Sequence, residues 1–71
     1  MTSAEFVAMD VASRLRYARE KKGASVEETA KAVGVTRSAI QMYECGQRVP
    51  RDSVKKELSK FYGVSVQRLF F

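Results

Sequence analysis

Val26 to Gln47, VEETAKAVGVTRSAIQMYECGQ, reads as two short helices joined by a tight turn. Ser25 followed three residues later by Glu28 is a capping box, and it opens a helix of about eight residues through Val33. Gly34 stops that helix with a residue free to take positive φ, and Val35 turns into the core behind it. Thr36 then caps a second helix, Arg37 to Cys45, which Gly46 closes. Ala30 and Val33 give the first helix an apolar face, while Ala39, Ile40 and Tyr43 give the second one. Two helices this short do not bury their own apolar faces. The rest of the chain is therefore expected to be scaffold that covers them and holds the second helix out to solvent at a fixed angle.

Upstream, Asp10 serves as an N-cap for a helix from Val11 to Lys22. Its last turn carries Lys21 and Lys22, and Gly23 follows in the terminating position. Residues 1–9 leave two readings open. Thr2 with Glu5 fits a capping box of its own, yet Phe6, Val7, Val11, Leu15 and Ala18 also fall near one stripe of a single longer helix. We set the boundary at Asp10, which makes residues 1–9 an N-terminal extension and residues 10–71 one domain. Downstream, Gln47 to Arg51 is a basic loop around Pro50. Asp52 is expected to cap a helix from Ser53 to Tyr62, with Val54, Leu58, Phe61 and Tyr62 turned inward and Gly63 at its end. Ser65 caps a last short helix, Val66 to Phe70. The pattern predicts a compact, all-α domain of five helices with short connections.

Bulk properties narrow the function classes. Seventy-one residues suffice for one small core. No apolar run approaches the length of a membrane span, and the first residues lack the basic-then-apolar pattern of a secretion signal, so a cytoplasmic protein is expected. Cys45 is the only cysteine and histidine is absent, which removes a disulfide framework and a cysteine-based metal site. No Gly-rich phosphate loop and no nucleophile beside a base are present either, so neither an enzyme nor a cofactor is expected. A net charge of +5 and a pI near 9.7 favour a polyanionic partner on so small a body. The same charge is common on small soluble domains, so it gains meaning only from the fold.

On the helix from Arg37 to Cys45, Arg37, Ser38, Gln41, Met42 and Cys45 share the outer side at about 100° per residue. Glu44 is that helix's only acid and falls near the buried flank. A helix that docks beside phosphates needs such a lack of outward negative charge. A helix-turn-helix holding this face to solvent is the arrangement used to read double-stranded DNA.

Further residues carry a family resemblance. They are Leu15-Arg16 and Arg19, Ser25 with Glu27-Glu28, Ala30, Gly34-Val35-Thr36 and Ile40. They continue with Glu44-Cys45-Gly46, Pro50, Gly63-Val64-Ser65 and Leu69-Phe70. From Leu15 to Phe70 the chain resembles the lambda-repressor-like helix-turn-helix family, of the Xre or phage-repressor type. The resemblance implies that Arg37 and Ser38 read base edges in the major groove, Arg37 by a bidentate pair to guanine. It matches Met42 to a base-facing position suited to a thymine methyl. It has Thr36 donate to phosphate and the backbone around Cys45 and Gly46 meet the next one. Arg51 matches a position that reaches into the minor groove of A·T-rich DNA. Arg19 and Glu44 match an ion pair that is structural. Three positions depart from the pattern. Val26 replaces a Gln that supports a phosphate contact, Thr29 replaces a Leu and implies looser packing, and Asp52 stands near phosphate-facing positions.

Each assignment has a plainer rival. Arg37, Ser38 and Gln41 can be solvated polar residues, and Met42 and Cys45 simply exposed. Lys55, Lys56 and Lys60 read as a solvated face of the helix after Pro50, whereas Arg48 and Arg51 are better placed for phosphate. Phe70 and Phe71 leave two possibilities, a dimer interface or one ring folded back onto the helix from Val11. We take the dimer, because two-fold operators demand two-fold proteins. The function expected is a sequence-specific DNA-binding transcriptional regulator of bacterial or phage type, a repressor acting as a homodimer on an inverted-repeat operator. Its DNA-binding set is Thr36, Arg37, Ser38, Gln41, Met42, Arg48 and Arg51. The alternative is a protein-interaction module of the same fold, an antitoxin or partner-dependent regulator.

Overall fold

Short polar side chains decide where most of the helices begin. The computed structural model describes residues 2–71. Its helices are α1 Ser3–Ala8, α2 Val11–Lys22, α3 Val26–Val33, α4 Arg37–Cys45, α5 Asp52–Tyr62 and α6 Val66–Phe70. Thr2, Asp10, Ser25, Thr36 and Ser65 each accept a hydrogen bond from a backbone N–H in the first turn that follows, covering a donor the helix itself leaves unpaired. The reciprocal capping boxes at Thr2–Glu5 and Ser25–Glu28 are both formed. Hydrogen bonds from Ser13 and Ser25 hold the carboxyls of Asp10 and Glu28 below their ordinary range.

Among the described residues, six helices stand where five were expected. The stripe through Phe6 and Leu15 is real on both sides of Met9, but Met9 and Asp10 are extended and split it. Arg14 makes the split stable. Buried at 8% exposure, it donates Nε to the Met9 carbonyl at 2.8 Å, Nη2 to the Val7 carbonyl, and Nη1 to the Arg68 carbonyl at 3.2 Å. One guanidinium thus satisfies carbonyls at the end of α1 and joins them to α6. Phe6 fills the space beneath, with its ring 5.8 Å from that of Tyr17.

The core lies between α2, which packs against α4, α5 and α6, and α3, which packs against α4 and α5. Leu15, Ile40, Leu58 and Leu69 are almost wholly buried, each stabilising the fold by about 1.5–3 kcal/mol through apolar burial. The molecule measures 30 × 22 × 19 Å.

Four local expectations are corrected. Asp52 does not cap α5; Arg51 occupies the capping position without a side-chain bond, and Asp52 is the first helical residue. Its carboxylate lies at the positive end of the helix dipole and 3.9 Å from Lys55 Nζ. Thr29 does not loosen α3: it is fully buried, and its hydroxyl donates to the Ser25 carbonyl at 2.9 Å. Its one polar side-chain atom is paired there. Phe70 is not offered to a second copy. It is buried in the core cluster, while Phe71 is 76% exposed. Lys55 lies 5.3 Å from the centre of each ring, so this lysine covers aromatic surface instead of forming part of a solvated face.

Candidate nucleic-acid interface

The angle between α3 and α4 is set by the turn Gly34-Val35-Thr36, whose backbone only a few residues permit. Gly34 takes φ 76°, and the N–H groups of Gly34 and Val35 both reach the Ala30 carbonyl, at 2.9 and 3.0 Å. Val35 packs against the core, and Thr36 Oγ1 accepts from Ala39 N at 3.1 Å to start α4 at once. At the far end Gly46, at φ 77°, lets its N–H and that of Gln47 turn back onto the last carbonyls.

An ion pair locks α4 to α2. Arg19 Nε and Nη2 donate to the two carboxylate oxygens of Glu44 at 2.8 and 3.1 Å, and Nη1 donates to the Ala24 carbonyl at 3.0 Å. The side chains are only 15% and 9% exposed. The fork-to-fork geometry and the extra carbonyl satisfy the charges that burial strips of water. The Glu44 hydrogen bonds raise the Arg19 pKa further. They also hold a carboxylate near the negative end of α4, where the dipole alone would disfavour it.

With Ala39, Ile40 and Tyr43 buried and Glu44 pinned inward, α4 has one side left to present. Arg37, Ser38, Gln41 and Cys45 are exposed there and Met42 is half-buried beside them. Thr36 is exposed; its oxygen caps the helix, and its O–H is bonded to nothing among the described residues. Arg48 and Arg51 are exposed in the loop directly after α4, and neither enters an ion pair among the described residues. The seven residues therefore lie on α4, its cap and the next loop. A family model described as helix-turn-helix matches residues 15–69, most of the chain. The protein belongs to this lambda-repressor-like helix-turn-helix family. No curated protein and no solved structure matches the chain. Membership places this helix-turn-helix protein among DNA-binding regulators of transcription.

Two charged residues with structural consequences escaped the sequence reading. Arg14 looks in sequence like one more cation on a basic helix, and no spacing rule ties it to carbonyls of α1 and α6. Glu27 stands in the first turn of α3, and its Oε1 accepts from Arg37 Nη1 at 3.1 Å. The two are ten residues apart, outside the i,i+3 and i,i+4 spacings that reveal pairs within one helix. Only the turn through Gly34 brings them together. Both side chains stay open to solvent, at 62% and 72% exposure.

Among the described residues no group of acids and thiols is placed to hold a metal ion, and no helix is long and apolar enough to cross a membrane.

Proposed function

We propose that this helix-turn-helix protein is a sequence-specific repressor that binds an inverted-repeat operator as a homodimer, with α4 in the major groove. The outward face of α4 carries this reading. It presents Arg37, Ser38 and Gln41 to solvent, while the helix's one carboxylate is turned inward onto Arg19. Polar donors and acceptors at the start of a projecting helix are what reading base edges requires, and an outward acid there would meet phosphate repulsion. Arg37 is suited to guanine O6 and N7, Ser38 to a neighbouring base edge and Met42 to a thymine methyl. The free O–H of Thr36 and the guanidinium of Arg48 are suited to phosphates, and Arg51 to the minor groove. Occupancy of the operator then blocks polymerase sterically. The homodimer rests on the two-fold symmetry of such operators and on the exposed ring of Phe71, since Phe70 belongs to the core.

Selection from a random duplex library with purified protein, repeated at two salt concentrations, tests the proposal. An inverted repeat with half-sites about one helical turn apart is expected. Weak, unselective binding that moderate salt abolishes would mean that the net charge acts alone.

A further inference from the structure

An acid in contact with the first residue of α4 conflicts with an interface meant for phosphates, and the conflict points to a role. From this contact we infer that Glu27 is a specificity-determining positioning residue, which holds the Arg37 guanidinium in the orientation that reads one guanine. The inference rests on the DNA-binding reading above and concerns how that site discriminates.

The geometry carries it. Glu27 belongs to the first turn of α3 and Arg37 is the first residue of α4, so the contact spans the turn of the motif. Oε1 takes one N–H from Nη1 at 3.1 Å, and among the described residues the other guanidinium N–H groups are unengaged. Both side chains are more than half exposed, a setting in which an ion pair contributes little to stability. A fold as well capped as this one has no need of the contact. For binding it has two effects of opposite sign. Fixing a long arginine side chain in advance removes part of the ordering loss that recognition otherwise incurs, and a bidentate contact depends on the plane of the fork. The carboxylate's charge also repels the DNA backbone, weakening attachment to every sequence alike. The two combine into discrimination, because a duplex that offers Arg37 no guanine gains nothing to offset the repulsion.

Glu27→Ala and Glu27→Gln separate these effects when each is measured against the selected operator, its single-base-pair variants and an unrelated duplex. Glu27→Ala is expected to bind the unrelated duplex more tightly and to lose about tenfold of the preference at the base pair that Arg37 reads, with an unchanged melting curve. Glu27→Gln keeps an oxygen that can accept from Arg37, so it is expected to restore most of that preference while retaining the gain in unselective binding. In an Arg37→Ala background, Glu27→Ala is expected to change no base preference further. Unchanged preference in Glu27→Ala, in a protein that does select an operator, would overturn the role of Glu27 alone. A further change in preference in the Arg37→Ala background would show Glu27 touching a base itself and would overturn positioning. A protein that selects no operator at all would remove this inference together with the function on which it rests.

Discussion

The two sides of α4 obey different rules. Its inner side holds buried Ala39, Ile40 and Tyr43 with Glu44 paired to Arg19, and a change there is felt as stability. Its outer side holds Arg37, Ser38 and Gln41, exposed and free of packing, where a change leaves the fold alone and is felt by whatever docks there. One helix of nine residues thus joins a packed side to a solvent-facing side less than a helix diameter apart. The inner side fixes position and angle, and the outer side supplies chemistry. Mutations sort according to which of the two they touch.

The largest effect is expected on the inner side. Ile40 is 1% exposed, so Ile40→Ala should cost about 2–5 kcal/mol in chemical denaturation. A loss of that size takes most of what so small a core supplies. A loss well below 1 kcal/mol would mean that α4 is not held by its apolar face. Next comes Glu44→Ala, which leaves Arg19 in a largely buried site without its partner. It should cost about 3 kcal/mol, the low end for a broken buried pair. Arg19→Met with Glu44→Leu should recover much of it, because apolar replacements carry no stranded charge.

A smaller effect follows pH. Burial, and secondarily the charge of Glu44, push the Tyr62 phenol from 10.0 to about 12. The folded state then favours the neutral phenol more than the unfolded chain does. Its contribution is complete below pH 10.0 and is lost as the pH rises from 10.0 through about 12. Tyr62→Phe should flatten that alkaline decline in melting temperature, and an identical decline in the variant would place its origin elsewhere. At the acid end the sign reverses: the lowered carboxyls of Asp10 and Glu28 support their caps above their ordinary values of 3.8 and 4.5, and the support fades as the pH falls below them. The smallest effect on stability is expected on the outer side. Arg37→Ala should shift it by no more than about 1 kcal/mol, the range of an exposed ion pair.

The division between the two sides was largely legible in the sequence. Caps at Asp10, Ser25, Thr36 and Ser65 and the glycines after α2, α3, α4 and α5 are local signals, and short-range chemistry decides them. The inward turn of Glu44 followed from helical period and its pairing with Arg19 from family resemblance. What stayed hidden was non-local. Arg14 reaches carbonyls of α1 and α6, and Glu27 meets Arg37 across a turn, while for Phe70 the fold-back was one of two readings the sequence left open. No periodicity encodes such contacts, because they depend on how helices cross. Asp52 failed for a different reason. An acid serves a helix start either as the cap or one residue later, beside the same unpaired N–H groups, and the two placements differ by a single position.

The claim that the outer side of α4 reads bases comes to a direct test in Arg37→Ala. Its binding would be measured on the selected operator and on all single-base-pair variants of it, at one salt concentration. The account predicts a loss of about 1–3 kcal/mol confined to one base pair in each half-site, where the variant no longer distinguishes guanine. An equal loss on every duplex, with a salt dependence shallower by about one charge, would place Arg37 on a phosphate and contradict the claim.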